Sequence, residues 1–113
     1  MKIHTKKRLL DALTACKAIE SFVAKYTFAD YERNLMLRSA VERQFEIIGE
    51  ALHQAEVEDP TVTDLLPELR RIVGMRNRII HGYDSVDDEL LWKTIQQNIP
   101  PLRKHLEQTL EAE

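Results

Sequence analysis

The sequence predicts an all-α protein, an antiparallel bundle of four to five helices forming one domain over residues 1–113. Three observations predict it. Apolar residues recur at spacings of three and four along most of the chain, and no stretch alternates with period two. Three glycines and four prolines stand against 31% charged residues, too little turn chemistry for a sandwich or barrel, which needs a turn signal about every 8–12 residues. A chain of 113 residues that is 43% apolar can bury one core of its own, and two domains are not expected.

The elements follow in order. Leu9, Leu13, Cys16, Ile19 and Val23 share one stripe of a first helix over about residues 5–26. Thr27–Tyr31 interrupts it, and Asp30 is placed to cap a second helix that carries Leu37, Val41, Gln44 or Phe45, Ile48, Leu52 and Ala55 to about Glu58, before Pro60. Thr61–Asp64 reads as a loop, with Thr63 or Asp64 able to cap a third helix bearing Leu66, Leu69, Val73, Ile79 and Ile80. Gly82 stands where a left-handed residue would end that helix. Ser85 followed by Asp87, Asp88 and Glu89 starts a fourth, which carries Leu91, Ile95, Asn98 or Ile99, Leu102, Leu106 and Leu110. Pro100-Pro101 falls inside this pattern and kinks or breaks the last helix.

Charge and cysteine usage bound the function. A net charge of −3 rules out a uniformly basic coat, so any nucleic-acid contact must be local. Cys16 is the only cysteine, which excludes an intrachain disulfide and a multi-cysteine metal site and fits a reducing compartment. The basic start, Met1–Arg8, leads into an amphipathic segment rather than a signal-type apolar region, and no run approaches the roughly 18 apolar residues of a membrane span. A soluble cytoplasmic protein without a membrane partner is expected. His4, His53 and His105 have no metal-ligand spacing, and neither a metal nor another cofactor is expected. Trp92 reads as a core or interface residue.

The segment Arg70–His81 carries Arg70, Arg71, Arg76, Arg78 and His81 and no acidic residue, so an acidic chain gathers at least four positive charges on about three helical turns. Arg70, Arg71 and Arg78 are the candidate RNA-binding residues. Arg76 is different, because the steps Leu69, Val73 and onward place it where the stripe asks for an aliphatic side chain. An unpaired buried charge costs several kcal/mol, so Arg76 needs a partner: Glu42, Glu46 or Glu50 on the second helix, a second subunit, or a phosphate. Asn77 and His81, four apart, share a helix face, whereas Arg76 lies about 140° round the axis from His81. Histidine passes protons near neutral pH, arginine holds phosphate through paired hydrogen bonds, and an amide orients without titrating. That set suits metal-independent RNA cleavage, in which a base takes the 2′-hydroxyl proton and a cation stabilises the crowded phosphorane.

Arg76-Asn77-Arg78-Ile79-Ile80-His81-Gly82-Tyr83 resembles the signature of the HEPN superfamily, and the Tyr83 extension resembles its HepT-like toxin branch. With nine arginines and four histidines the Arg/His spacing alone arises by chance about 0.3 times; requiring the asparagine and tyrosine lowers this to roughly 2 in 10,000. Val41–Ala51, Tyr83–Trp92 and Ile99–Leu102 are also similar to HepT-like chains, so the likeness covers nearly the whole length. The resemblance implies a homodimer whose composite cleft is a ribonuclease site. Arg76 and His81 would be catalytic and Asn77 would assist. It further implies a type VII-like toxin–antitoxin pair, in which a minimal nucleotidyltransferase antitoxin of the MntA type can transfer AMP to Tyr83. A bulky anion beside His81 would repel an RNA phosphate. The competing expectation is a non-catalytic helical subunit that partners a nucleotidyltransferase.

Overall fold

A computed structural model describes residues 1–82 and 84–113. Among them are seven helices and no strand: α1 (Ile3–Val23), α2 (Phe28–Arg33), α3 (Leu35–Glu58), α4 (Val62–Leu65), α5 (Leu69–His81), α6 (Asp88–Gln97) and α7 (Ile99–Glu111). Five have ten or more residues and make the bundle; α2 and α4 are connecting turns of helix.

Side-chain pairs fix the directions. The start of α1 meets the end of α3, where Arg8 Nε donates to Glu58 at 3.2 Å, so α1 and α3 run antiparallel. Arg70 pairs with Glu56 and Arg76 with Glu50, which sets α5 antiparallel to α3. Arg103 Nε donates to Glu20 at 2.6 Å, and the Met1 amine lies 3.1 Å from Glu113, so α7 returns along α1. α3 is thus flanked by α1 and α5. The inward stripes of α1 and α3, including Leu9, Ile19, Val41, Phe45, Ile48 and Leu52, are buried as the periodicity expects.

Several boundaries differ from the expectation. Thr27, not Asp30, caps α2: its hydroxyl accepts from the Asp30 N–H while the Asp30 carboxylate accepts from the Thr27 N–H, a reciprocal capping box. The expected second helix is divided at Asn34, whose side chain accepts from the Leu37 N–H and starts α3. Neither Thr63 nor Asp64 caps α5, because both lie in the short α4. α6 is capped by Asp87, which accepts from the Leu90 N–H at 3.0 Å, rather than by Ser85. Gly82 has φ −122° and is not left-handed; its N–H closes the helix on the Arg78 carbonyl at 2.9 Å, and an added Cβ would stand 3.0 Å from that oxygen. The last helix breaks at Asn98, and Pro100 and Pro101 occupy the first turn of α7, where their missing amides would have had no helical partner.

The phase of α5 also differs. Its buried residues are Leu69, Ile72, Met75 and Ile79, while Val73 is half-buried and Ile80 is 39% exposed. Trp92 packs against Tyr31 and Phe28 with ring centroids 5.3 and 6.2 Å apart, which assigns it to the core. No described helix is long and apolar enough to cross a membrane.

Candidate active site

Arg76 reaches the α3–α5 contact because α3 has no side chain opposite it. A Cβ built on Gly49 would lie 2.3 Å from Arg76 Cβ and 2.6 Å from Cγ, so the arginine stem occupies the space that any other residue at 49 would fill. The guanidinium emerges beside Glu50. Nη2 donates to Glu50 Oε2 at 2.8 Å and Nη1 donates to Asn77 Oδ1 at 3.0 Å. Nε is buried without a hydrogen-bond partner among the described residues. The side chain is 26% exposed against 49% for Glu50, so the pair sits at the rim of the core and its charged end meets water. Of the three glutamates that sequence offers as partners, the register selects Glu50; Glu46 pairs with Arg43.

Asn77 is exposed, and its amide orients the arginine one residue before it. His81 is the last residue of α5 and is exposed. Arg76 and His81 therefore stand on different flanks of one helix, as their five-residue separation requires. None of the five principal grooves on the described surface is lined by Arg76, Asn77 or His81. The expectation that Tyr83 accepts AMP falls on the one residue outside the described set.

The basic cluster is divided. Arg70 is taken up by Glu56 on α3. Arg71 and Arg78, which have no carboxylate partner among the described residues, line a groove of about 510 Å³ between α5 and the start of α6, with Arg70 at its edge and Pro67, Gly74, Met75 and Leu90. Elsewhere, His105 Nδ1 hydrogen-bonds the buried Glu68 at 2.5 Å and ties α7 to the start of α5. Glu42 is held above the usual carboxylate range by burial and by Asp88 beside it. Burial also raises the Tyr31 phenol, whose oxygen has no hydrogen-bond partner among the described residues. No group of three His, Cys, Asp or Glu among the described residues is placed to hold a metal ion.

Gly49 is the residue that reading for chemistry misses. A glycine inside a long run of helix formers is its only signal, since it costs a helix roughly 1 kcal/mol unless something approaches closely.

The helical bundle is an all-α fold of the HEPN type. The chain belongs to the HepT-like ribonuclease family, whose model, described as Ribonuclease HepT-like, matches residues 12–109. It is 35% identical to a probable ribonuclease HepT of Thermococcus cleftensis over 95% of this chain and 96% of that protein. It is 32% identical to a candidate RNase of Methanocaldococcus jannaschii over 94% of this chain and 96% of the other. A candidate RNase of Caldanaerobacter subterraneus is 33% identical over 89% of both. No solved structure matches the chain.

Proposed function

We propose that the protein is a metal-independent endoribonuclease that acts as a homodimer and serves as the toxin of a toxin–antitoxin pair. Family membership supports ribonuclease activity in general. The observation that carries the finer reading is Arg76, an arginine seated in the helix contact by Gly49, oriented by Glu50 and Asn77, and left with an unpartnered Nε. A merely structural ion pair would not require the neighbouring asparagine or the histidine one turn beyond it.

In this reading His81 takes the 2′-hydroxyl proton of the RNA. The 2′-oxygen attacks the adjacent phosphorus, Arg76 stabilises the dianionic phosphorane, and the bond to the 5′-oxygen breaks. The departing oxygen receives its proton from the imidazolium so formed, and the products are a 2′,3′-cyclic phosphate and a 5′-hydroxyl. The groups lie on different flanks of α5, so Arg76 of one protomer meets the imidazole of the other. Arg70, Arg71 and Arg78 are the proposed RNA-binding side chains. A nucleotidyltransferase antitoxin that transfers AMP to Tyr83 would silence the site by charge and bulk.

His81→Ala tests the proposal. Because the side chain is exposed, the variant should keep its helical circular dichroism and melting temperature and lose both RNA cleavage and growth inhibition. Cleavage retained in that variant would discard the reading. Cleavage by the parent should persist in EDTA, and intact mass after co-expression with a neighbouring nucleotidyltransferase gene should show added adenylate units. A second reading, a non-catalytic subunit, is favoured by the ion pair that already occupies Arg76. It predicts a tight complex with the nucleotidyltransferase, an unmodified mass and no cleavage by the purified dimer.

A further inference from the structure

Seven of the nine arginines stand in ion pairs with carboxylates. The two that do not, among the described residues, are Arg71 and Arg78, and both line the groove between α5 and α6. They are seven residues apart, two turns along one face, with a rise of about 10 Å between them. Gly74 lies between them on the same face, and a Cβ there would meet nothing within 4 Å, so the space between the two cations is open. Its floor is apolar, formed by Met75 and Leu90, and it continues past them to Val86. No carboxylate lines the stretch that holds both Arg71 and Arg78, while Asp87 lines the continuation beyond Arg78. The face continues in steps of three, four and three, from Arg71 through Gly74 and Arg78 to His81, so the imidazole stands beyond the groove on the same side of α5.

We infer that this groove is a subsite for an unpaired nucleotide of the RNA substrate, with its base on Met75 and Leu90 and the flanking phosphates on Arg71 and Arg78. The inference rests on the ribonuclease reading and adds the form of RNA taken. Two guanidiniums without a carboxylate partner, set along one groove of an acidic protein, favour a polyanion. The apolar floor between them favours a base that has left its stack. Bases in a duplex are stacked and paired, and the narrow major groove of A-form RNA hides their edges, so single-stranded RNA fits the groove and duplex does not. A strand seated here reaches His81 one turn beyond Arg78. The groove thus delivers the strand to the base rather than to Arg76, in keeping with an arginine supplied by the second protomer.

The test measures binding in the His81→Ala protein, which holds RNA without cutting it, by fluorescence anisotropy of a short unstructured oligoribonucleotide and of the matching duplex. Arg71→Gln with Arg78→Gln should weaken single-strand binding about tenfold. It should also lower the slope of log K against log salt by about 1.4, two phosphates at roughly 0.7 each for single strands. Gly74→Leu fills the groove without touching a charge, and it should weaken binding several-fold with the salt slope unchanged. Its melting temperature shows that the fold is retained, and the exposed arginine pair gives an independent arm. The duplex should bind more weakly and ignore Gly74→Leu. The inference is overturned if both variants bind as the host does, if the duplex binds equally well, or if a poly-glutamate peptide competes as effectively as RNA. Parent protein that cleaves RNA alongside unaffected variants would remove the subsite and leave the ribonuclease. Parent protein that never cleaves, alongside the expected losses, would remove the ribonuclease and leave an RNA groove.

Discussion

Gly49→Ala is the sharpest perturbation of the α3–α5 contact. The added methyl would lie 2.3 Å from Arg76 Cβ and 2.6 Å from Cγ, the two stem atoms nearest the α5 backbone. Rotating the guanidinium cannot relieve a clash at those atoms, so the helices must move apart. Overpacking of this kind costs about 3 kcal/mol at the upper end of its range, and replacing a helical glycine by alanine returns about 1 kcal/mol. The net is about 2 kcal/mol of destabilisation. At about 2.1 cal/mol/K per residue, unfolding this chain has an entropy near 0.24 kcal/mol/K, so the melting temperature should fall by about 8 °C. Gly74→Ala is the internal control. Its methyl enters open space, so only the propensity gain remains, and the melting temperature should rise by about 4 °C. Thermal melts by far-ultraviolet circular dichroism read both. A Gly49→Ala protein that melts at or above the parent temperature would refute the account of how Arg76 is seated. RNA cleavage by Gly49→Ala should also drop at temperatures where the protein is still folded, because the displaced stem carries the guanidinium with it.

Other outcomes follow from the same geometry. Burial, reinforced by Glu20, pushes the Cys16 thiol up to about 12, so at about pH 8 a thiol reagent should label it only after unfolding and labelling should track opening; rapid labelling of the native protein would contradict the packing of α1. Glu42 is held above its ordinary 4.5, first by burial and then by Asp88. Its native state therefore binds the proton more tightly than the unfolded state, and its contribution to stability falls as pH rises from 4.5 through the raised value. Glu42→Gln should raise the melting temperature near pH 7, and the gain should vanish below about pH 4. Glu50→Gln keeps an acceptor beside Arg76 but removes the charge. The pair is half-exposed, so stability should change by less than about 1 kcal/mol, while RNA affinity in the His81→Ala background should increase as a competing anion is lost.

The long stripes of α1 and α3 were legible because each has one clear phase, and the turn residues near Thr27 and Pro60 mark their ends. The break at Asn34 was not. Leu35 and Met36 carry the apolar pattern across the cap although they are 68% and 80% exposed, and pattern alone does not report exposure. On α5 the neighbours Ile72-Val73 and Ile79-Ile80 leave the stripe uncertain by one residue, about 100° of rotation. Contact with α3 and the rest of the core selects Ile72 and Ile79. At the site, Arg76 is conspicuous because it breaks its stripe. Choosing Glu50 over Glu46 or Glu42 needs the α3–α5 register, which depends on how far two separate helices slide past each other. The basic cluster likewise reads as one patch in sequence. Its division into an Arg70 paired with Glu56 and an Arg71 and Arg78 left to the groove they share with it depends on where α3 and α6 lie.

The flank separation of Arg76 and His81 allows the composite site to be tested by complementation. If each cleft takes Arg76 from one protomer and His81 from the other, Arg76→Ala and His81→Ala chains are each inactive alone. In a mixed dimer both losses fall in the same cleft, and the other cleft regains an intact arginine and an intact histidine. Chains refolded together in equal amounts give about half mixed dimers, each with one working cleft of two, so about a quarter of the parent activity should return. A site built within one chain would return nothing, because neither variant chain holds both groups. A single cleft on the twofold axis that needs both copies of both groups would also return nothing. Separate Arg76→Ala and His81→Ala dimers, mixed without subunit exchange, supply the baseline. Recovery to about a quarter above it would place the arginine and the imidazole on opposite subunits of each working cleft, and activity at the baseline would refute that arrangement.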